Sequence, residues 1–261
     1  MEIISRRTIK SGNASAVVLP KSWLNKKVKI ELIDKTKEAI LHDVLYIVKS
    51  SIDPSEIIGI YLVGSYARGD STYTSDTDIL IISEKTDREL IKKEGYEILI
   101  VSLNLLNYKL NENLLPIGTM LKEAQPLLNN NFLKKINIKV SKKNVSWYLK
   151  TTKNSLEVIK SSIDRIEKKK PNGKLSDAIA YSLILSLRTL YMIDCLKNKK
   201  PYKKNEFIEL TRKISGSLTA YERYVYSKNN EDSKRELLLS EGKKLYIYLK
   251  DYLQKIMNSL E

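Results

Sequence analysis

The stretch Ile60 to Ser83, IYLVGSYARGDSTYTSDTDILIIS, constrains this chain more than any other. An apolar run ends at Gly64-Ser65. Ten residues, Tyr66 to Ser75, form a polar loop, and a second apolar run opens on Asp76-Thr77-Asp78. Short apolar runs bounded by turn residues read as strands buried on both faces. Side chains alternate across a strand, so Asp76 and Asp78 share a face with Leu80 and Ile82, while Ile79 and Ile81 point the other way. The acidic end of the strand then emerges at the edge of a sheet. Two carboxylates held this close repel each other in a low dielectric, and a divalent cation resolves the repulsion. Magnesium prefers carboxylate oxygens together with substrate phosphates. Gly64 allows close approach of the backbone to a phosphate, and Ser65 offers a hydroxyl and an N–H to phosphate oxygens. A helix starting just after them would add its positive end.

The surrounding pattern supplies a frame. Ile40, Leu41, Val44, Leu45 and Val48 recur at helical spacing, predicting a helix near Thr36 to Ser50 that Asp53-Pro54 breaks. Strands are expected over Ile57 to Val63, Ile79 to Ile82 and Glu97 to Leu103. Thr86 to Lys93, TDRELIKK, reads as a short helix with Thr86 as its N-cap. The expected class is α+β, with an α/β unit and mixed sheet over residues 35–140. Residues 141–261 read as a helical bundle. Long amphipathic stretches cover Val145 to Lys168, Ser176 to Lys197 and Ser233 to Ser259, and shorter ones lie near Asn205 to Ile214 and Ala220 to Ser227. Ser176 is the expected N-cap of the second.

Strand, Gly-Ser, the Ala67-Arg68-Gly69-Asp70 loop, Ser-Asp-x-Asp and apolar strand occur in the order that resembles the polymerase-beta nucleotidyltransferase superfamily, over about residues 38 to 110. The resemblance implies an enzyme. It would bind a nucleoside triphosphate (NTP) with Mg2+ or Mn2+, transfer a nucleoside monophosphate to an acceptor hydroxyl, and release pyrophosphate. Gly64, Ser65 and Arg68 would bind the nucleotide, with Asp76 and Asp78 as metal ligands. Such proteins usually carry a third carboxylate on a neighbouring strand. Glu97 is the candidate for metal binding and for deprotonating the acceptor, with Glu94 as its competitor. Arg68 either reaches the triphosphate or fixes the loop through Asp70.

At the N-terminus, strands over Ile3-Ile4 and Arg6 to Lys10, then Ala16 to Leu19, and then Val28 to Ile33 flank the turn Ser11-Gly12-Asn13. Pro20 ends the middle strand, and Lys21 to Leu24 suit one helical turn. About thirty residues can hardly bury a core alone. Residues 1–34, with Ser11-Gly12-Asn13, Leu19-Pro20-Lys21 and Trp23, resemble the swapped-hairpin AbrB and MazE family, in particular its archaeal branch. That implies a homodimer whose paired hairpins present Arg6, Arg7, Lys10 and Asn13 to DNA, or a module that only dimerises.

Charge separates the halves. Residues 1–120 hold 16 basic and 16 acidic side chains, and the remaining residues hold 30 and 15, so the net +15 lies wholly in the second half. Such a half attracts polyanions, including RNA, although a lysine-rich solvated face is the alternative. The bundle resembles those that follow the catalytic domain in antibiotic-modifying nucleotidyltransferases, and also HEPN proteins. HEPN ribonucleases use an Arg followed closely by His, and no His follows Arg188, which argues against that activity. One cysteine and one histidine remove disulfides, Cys-cluster metal sites and most His-based acid–base schemes. No signal peptide or membrane span is expected, and a cytoplasmic setting fits the single cysteine. The rival to an enzyme is an antitoxin-like DNA-binding regulator that keeps the transferase fold as a sensor or partner platform.

Overall fold

The computed structural model describes residues 4, 6, 8–30, 36–71, 75–171, 173–229 and 236–260. In chain order its elements are β1 (Ile9–Ser11), β2 (Ala14–Ala16), α1 (Lys37–Val48), β3 (Ile57–Leu62), α2 (Gly64–Arg68), β4 (Thr77–Ser83), β5 (Arg88–Lys93) and β6 (Tyr96–Ser102). There follow α3 (Leu103–Glu112), α4 (Ile117–Glu123), β7 (Gln125–Leu128), α5 (Asn130–Lys135), α6 (Lys142–Lys169), β8 (Lys174–Leu175) and α7 (Asp177–Lys197). The last are α8 (Lys204–Ser215), α9 (Thr219–Asn229), β9 (Leu237–Leu238) and α10 (Leu239–Asn258). The class is α+β, with a mixed five-stranded sheet.

That sheet has the order β5-β6-β4-β3-β7. β4 and β6 run parallel, and the other neighbours are antiparallel. Strand parity divides two cores. Ile79 and Ile81 of β4 join Ile98 and Ile100 of β6 against Ile40, Val44 and Ile47 of α1. Leu80, Ile82 and Val101 face the other way, onto Leu106 of α3 and Ile117 and Leu121 of α4. Burial on both faces of β4 thus follows the sequence pattern. Helix α1 begins where Thr36 accepts the Ala39 N–H at 3.2 Å, an ordinary N-cap.

The TDRELIKK segment is a strand rather than a helix. Glu94 and Gly95 both have positive φ, 53° and 77°, which makes the two-residue turn that joins twisted antiparallel strands. β5 is therefore the partner of β6, with Lys93 opposite Tyr96 and Lys92 opposite Glu97. Tertiary pairing overrides a local pattern that fits either period. Thr86 does not cap a helix; its hydroxyl donates to Glu56 Oε2 at 2.6 Å.

The N-terminal expectations hold only in part. The hairpin turn lies at Gly12-Asn13, but β1 starts at Ile9, β2 is Ala14–Ala16, and Val17 to Leu19 are irregular. Val28 to Ile30 form no strand; Ile3, Arg7 and residues 31–33 lie outside the described residues. A 3-10 turn covers Lys21–Trp23, as Pro20 suggested.

In the bundle, α6, α7, α9 and α10 close one large apolar core, with Leu183, Leu187 and Leu190 of α7 at its centre. Ser141 and Asn144 form a reciprocal capping box at the start of α6. Ser176 stands at the N-cap of α7, but its hydroxyl makes no cap hydrogen bond. Of the stretch expected from Ser233, residues 233–235 lie outside the described residues, Leu237–Leu238 pair with β8, and α10 begins at Leu239. Among the described residues α7 alone is long and apolar enough to cross a membrane, and half of it is buried inside the bundle.

Candidate active site

The loop that follows β3 is built by backbone geometry. Val63 donates its N–H to the Asp78 carbonyl at 3.0 Å, which sets the exit of β3 against the entry of β4. Gly64 then takes φ of +68°, in the left-handed region. A Cβ there would sit 1.9 Å from Asp78 Oδ2. Only glycine fits such an approach, so its requirement is set by a carboxylate as well as by a turn. The chain continues directly into the short helix α2, which holds Ser65 at its start. Gln125 Nε2 anchors that helix by donating to the Ala67 carbonyl at 2.6 Å.

Asp78 and Glu97 are direct neighbours in the parallel register of β4 and β6, so both lie on the face shared with α3 and α4. Asp76 lies just before β4 and is exposed. Burial, then the charges of Glu97, Asp76 and Glu123, push the Asp78 carboxyl up to about 6, with Arg68 pulling against them. The Glu97 carboxylate is engaged by Lys92 across the β5–β6 pair. Among the described residues no three His, Cys, Asp or Glu side chains converge as a ready-made metal cage. Bare carboxylates repel, and Lys92 holds one of them aside. Their oxygens are nevertheless the hard donors that Mg2+ or Mn2+ takes, and a cation would relieve the crowding that raises Asp78. Glu94, the competing acid, occupies the β5–β6 turn and is exposed.

Arg68 is bound from two sides. Its Nη1 donates to Glu123 Oε2 at 2.8 Å, and its Nε donates to Asp70 Oδ2 at 3.3 Å. Burial opposes the charge of Arg68, but these two carboxylates outweigh it and raise its pKa. Of the two roles open to Arg68 from sequence, the loop-fixing contact is the one formed. Glu123 completes the arrangement by accepting the Gly64 N–H through Oε1 at 2.8 Å. Its side chain is 10% exposed, and burial raises its pKa despite Arg68. Sequence reasoning missed Glu123. It lies 59 positions from Gly64, at the end of α4, with no spacing signal to mark it.

The bundle also reaches this place. The Arg68 guanidinium lies 5.6 Å from the centre of the Tyr202 ring, and Arg188 of α7 lies 5.8 Å from the same ring. Arg6, Lys10 and Asn13 are exposed in the N-terminal segment, and Arg7 lies outside the described residues.

A family model for the nucleotidyltransferase domain matches residues 41–171, just over half of the chain. The chain belongs to that family. This nucleotidyltransferase is NTP-dependent and transfers a nucleoside monophosphate from its NTP substrate. No curated protein matches the chain. Among solved structures, spectinomycin adenyltransferase AAD(9) from Enterococcus faecialis, determined with ATP and spectinomycin, is similar at 13% identity. The match covers 82% of this chain and 98% of that one, with a TM-score of 0.40.

Proposed function

We propose that the face shared by Asp76, Asp78 and Glu97 is where the transfer takes place, to a hydroxyl on an RNA end or a protein side chain. The observation that carries this reading is the abutment of Gly64 on Asp78, with Glu97 beside it in register. Gly64 and Ser65 hold the β- and γ-phosphates. Asp76, Asp78 and Glu97 hold Mg2+ or Mn2+, which when bound polarises phosphate oxygens and acidifies the acceptor hydroxyl. A Glu97 oxygen takes the proton of that hydroxyl. The acceptor oxygen bonds to the α-phosphorus as the bond to the bridging oxygen breaks, and pyrophosphate leaves. Arg68 keeps the loop in place through Asp70 and Glu123 rather than reaching the phosphates itself.

The test is incubation with each α-labelled NTP, Mg2+ and total lysate, followed by separation of labelled RNA and protein. Wild type labels an acceptor, and Asp76→Asn with Asp78→Asn does not. Equal labelling by both would refute the reading and leave the regulator as the better account.

The chain's unit boundaries are 1–34, 35–140 and 141–261 in this reading. The first unit makes a homodimer of the swapped-hairpin kind. Its apolar residues support this: Ile9, Val18, Leu24 and Ile30 are 51%, 61%, 73% and 69% exposed, so the described residues of the segment form no core of their own. Arg6, Arg7, Lys10 and Asn13 then face DNA. Removal of residues 1–34 should halve the mass seen by light scattering, and Arg6→Ala with Arg7→Ala should weaken DNA binding and flatten its salt dependence. A wild-type chain that is monomeric and does not bind DNA at low salt overturns this part.

A further inference from the structure

Lysines are not treated alike across this chain. In the bundle, Lys143, Lys174 and Lys243 each face a carboxylate, on Glu112, Glu236 and Glu167. Two stretches carry no acid of their own. Residues 124–156 hold seven lysines and no Asp or Glu, and residues 195–205 hold five more, again without an acid. The fold brings these stretches together. A groove of about 140 Å³ between the end of α4, the α5–α6 connection and the end of α7 is lined by Lys122 and Lys199 and by the apolar Ile136, Ile138 and Leu196. Lys134, Lys135 and Lys139 flank the two isoleucines in the chain, and these three lysines are exposed, as are Lys122 and Lys199. Among the described residues no Asp or Glu forms an ion pair with any of the five. A smaller hollow shares Lys122 and Leu196 with the groove and continues to Glu123 and Tyr202, which adjoin Arg68. The groove thus leads from the rim of the candidate active site to the surface. Ammonium groups gathered without counter-charges repel one another, and a polyanion lying across them gains by releasing its own counterions.

We infer that this groove is the track of the acceptor, a single strand of RNA whose backbone crosses Lys122, Lys199 and the lysines around Ile136 and Ile138 and whose 3′ end reaches toward Asp78. The direction of the strand rests on the proposed transfer to an RNA hydroxyl; the groove itself does not. A lysine is a point charge on a flexible stem, suited to the repeating charge of a phosphodiester backbone rather than to one fixed oxyanion. Such grooves follow the backbone of a single strand and leave the bases to lie on less polar surface, which the isoleucines supply. An acidic peptide would match the charge but leave the isoleucines bare.

The full chain, carrying Arg6→Ala and Arg7→Ala throughout so that the N-terminal hairpin does not contribute, is titrated into a short single-stranded RNA labelled with fluorescein at its 5′ end. Anisotropy is followed at several salt concentrations. Lys122→Gln with Lys199→Gln should weaken binding about fivefold or more and make the log–log salt slope shallower by about 0.7 for each lysine removed. Lys135→Gln with Lys139→Gln should do the same. Lys168→Gln with Lys169→Gln takes an equal charge from the far end of α6 and should stay within about twofold of the parent chain. No loss in the groove pairs, or equal losses in all three pairs, overturns the groove, as does a parent chain that binds no RNA at low salt. Displacement of the RNA by polyglutamate as readily as by unlabelled RNA overturns the choice of partner in favour of an acidic protein segment. In transfer from an α-labelled NTP, Lys122→Gln with Lys199→Gln should raise KM for RNA and leave KM for NTP unchanged. If RNA is labelled and the groove variants bind and label it as the parent does, the groove fails and the transfer reading stands. If RNA binds through the groove but is never labelled, transfer to RNA fails and the groove stands.

Discussion

The catalytic sheet and the helical bundle meet at Tyr202, yet they are stabilised in opposite ways. The bundle buries one continuous apolar cluster in which Leu183, Leu187 and Leu190 are fully enclosed, and its long helices carry their lysines outward. The sheet is equally well packed along β4, but the mouth of that strand crowds Asp76, Asp78 and Glu97, with Lys92 on Glu97 and the charge of Arg68 offsetting part of the repulsion. Charge repulsion there works against the fold, while the apolar contacts of Leu183, Leu187 and Leu190 in α7 work for it. The residues proposed to serve chemistry and those that serve stability therefore fall in different places, and substitutions should separate them.

The widest separation is expected at the carboxylates. Asp78→Asn should lower nucleotidyl transfer about a thousandfold, since metal-assisted charge stabilisation is worth several kcal/mol. The same variant should melt no lower than wild type. A drop in melting temperature with activity retained would invert the comparison. Leu187→Ala should do the reverse. It should lose about 2–5 kcal/mol of stability in denaturant titration, as buried Leu→Ala changes do, with kcat per folded molecule little changed.

Gly64→Ala tests whether one position can serve both ends. A non-glycine at φ of +68° costs roughly 1–2 kcal/mol, and the new methyl group must displace the Asp78 carboxylate. Transfer should fall about tenfold to a hundredfold while the bundle transition stays in place. Glu123→Gln is milder. It keeps the shape but removes the charge facing Arg68 and weakens the acceptor for the Gly64 N–H. A rise in KM for NTP of about threefold to tenfold, with stability lowered by about 1–3 kcal/mol, is expected from steady-state kinetics and chemical denaturation. A kcat effect alone would mean that Glu123 acts on the chemistry directly.

The same contrast explains what could be read from the sequence. Gly64-Ser65 and Asp76-x-Asp78 were legible because their spacing within one strand–loop–strand unit fixes the geometry. The helices α1, α6 and α7 were legible because a 3.6-residue period and short breaks define them. β5 was not. Leu90 and Ile91 satisfy either period, and the Glu94-Gly95 turn that settles the matter acts through pairing with β6. β7 was hidden by Pro126, which only an edge strand tolerates, and β7 is the edge next to β3. Glu123, Lys92 and Arg188 come to the site from separate elements, and no local pattern encodes such a meeting.

The smallest expected effect concerns proton linkage at Asp78. Its folded value of about 6 lies above the ordinary 3.8. The folded state therefore holds the proton more tightly than the unfolded chain does. This group favours folding below about pH 4, and that contribution is lost as the pH rises through about 6. Asp78 is only half-buried, so solvent screening reduces the effect. In metal-free buffer, melting temperatures between pH 4 and pH 8 should show a decline near pH 6, on the order of 1–2 °C, that Asp78→Asn lacks. Mg2+ should remove the decline above pH 6 in wild type, because a bound cation replaces the lost proton as the charge that the carboxylates share. The bundle gives a built-in control. Leu187→Ala should lower the whole curve and leave the difference between pH 4 and pH 8 unchanged. If instead the pH-dependent step disappears in Leu187→Ala and persists in Asp78→Asn, the proton that matters is not on the sheet, and the division between a repulsive acidic mouth and a bundle stabilised by its apolar core fails.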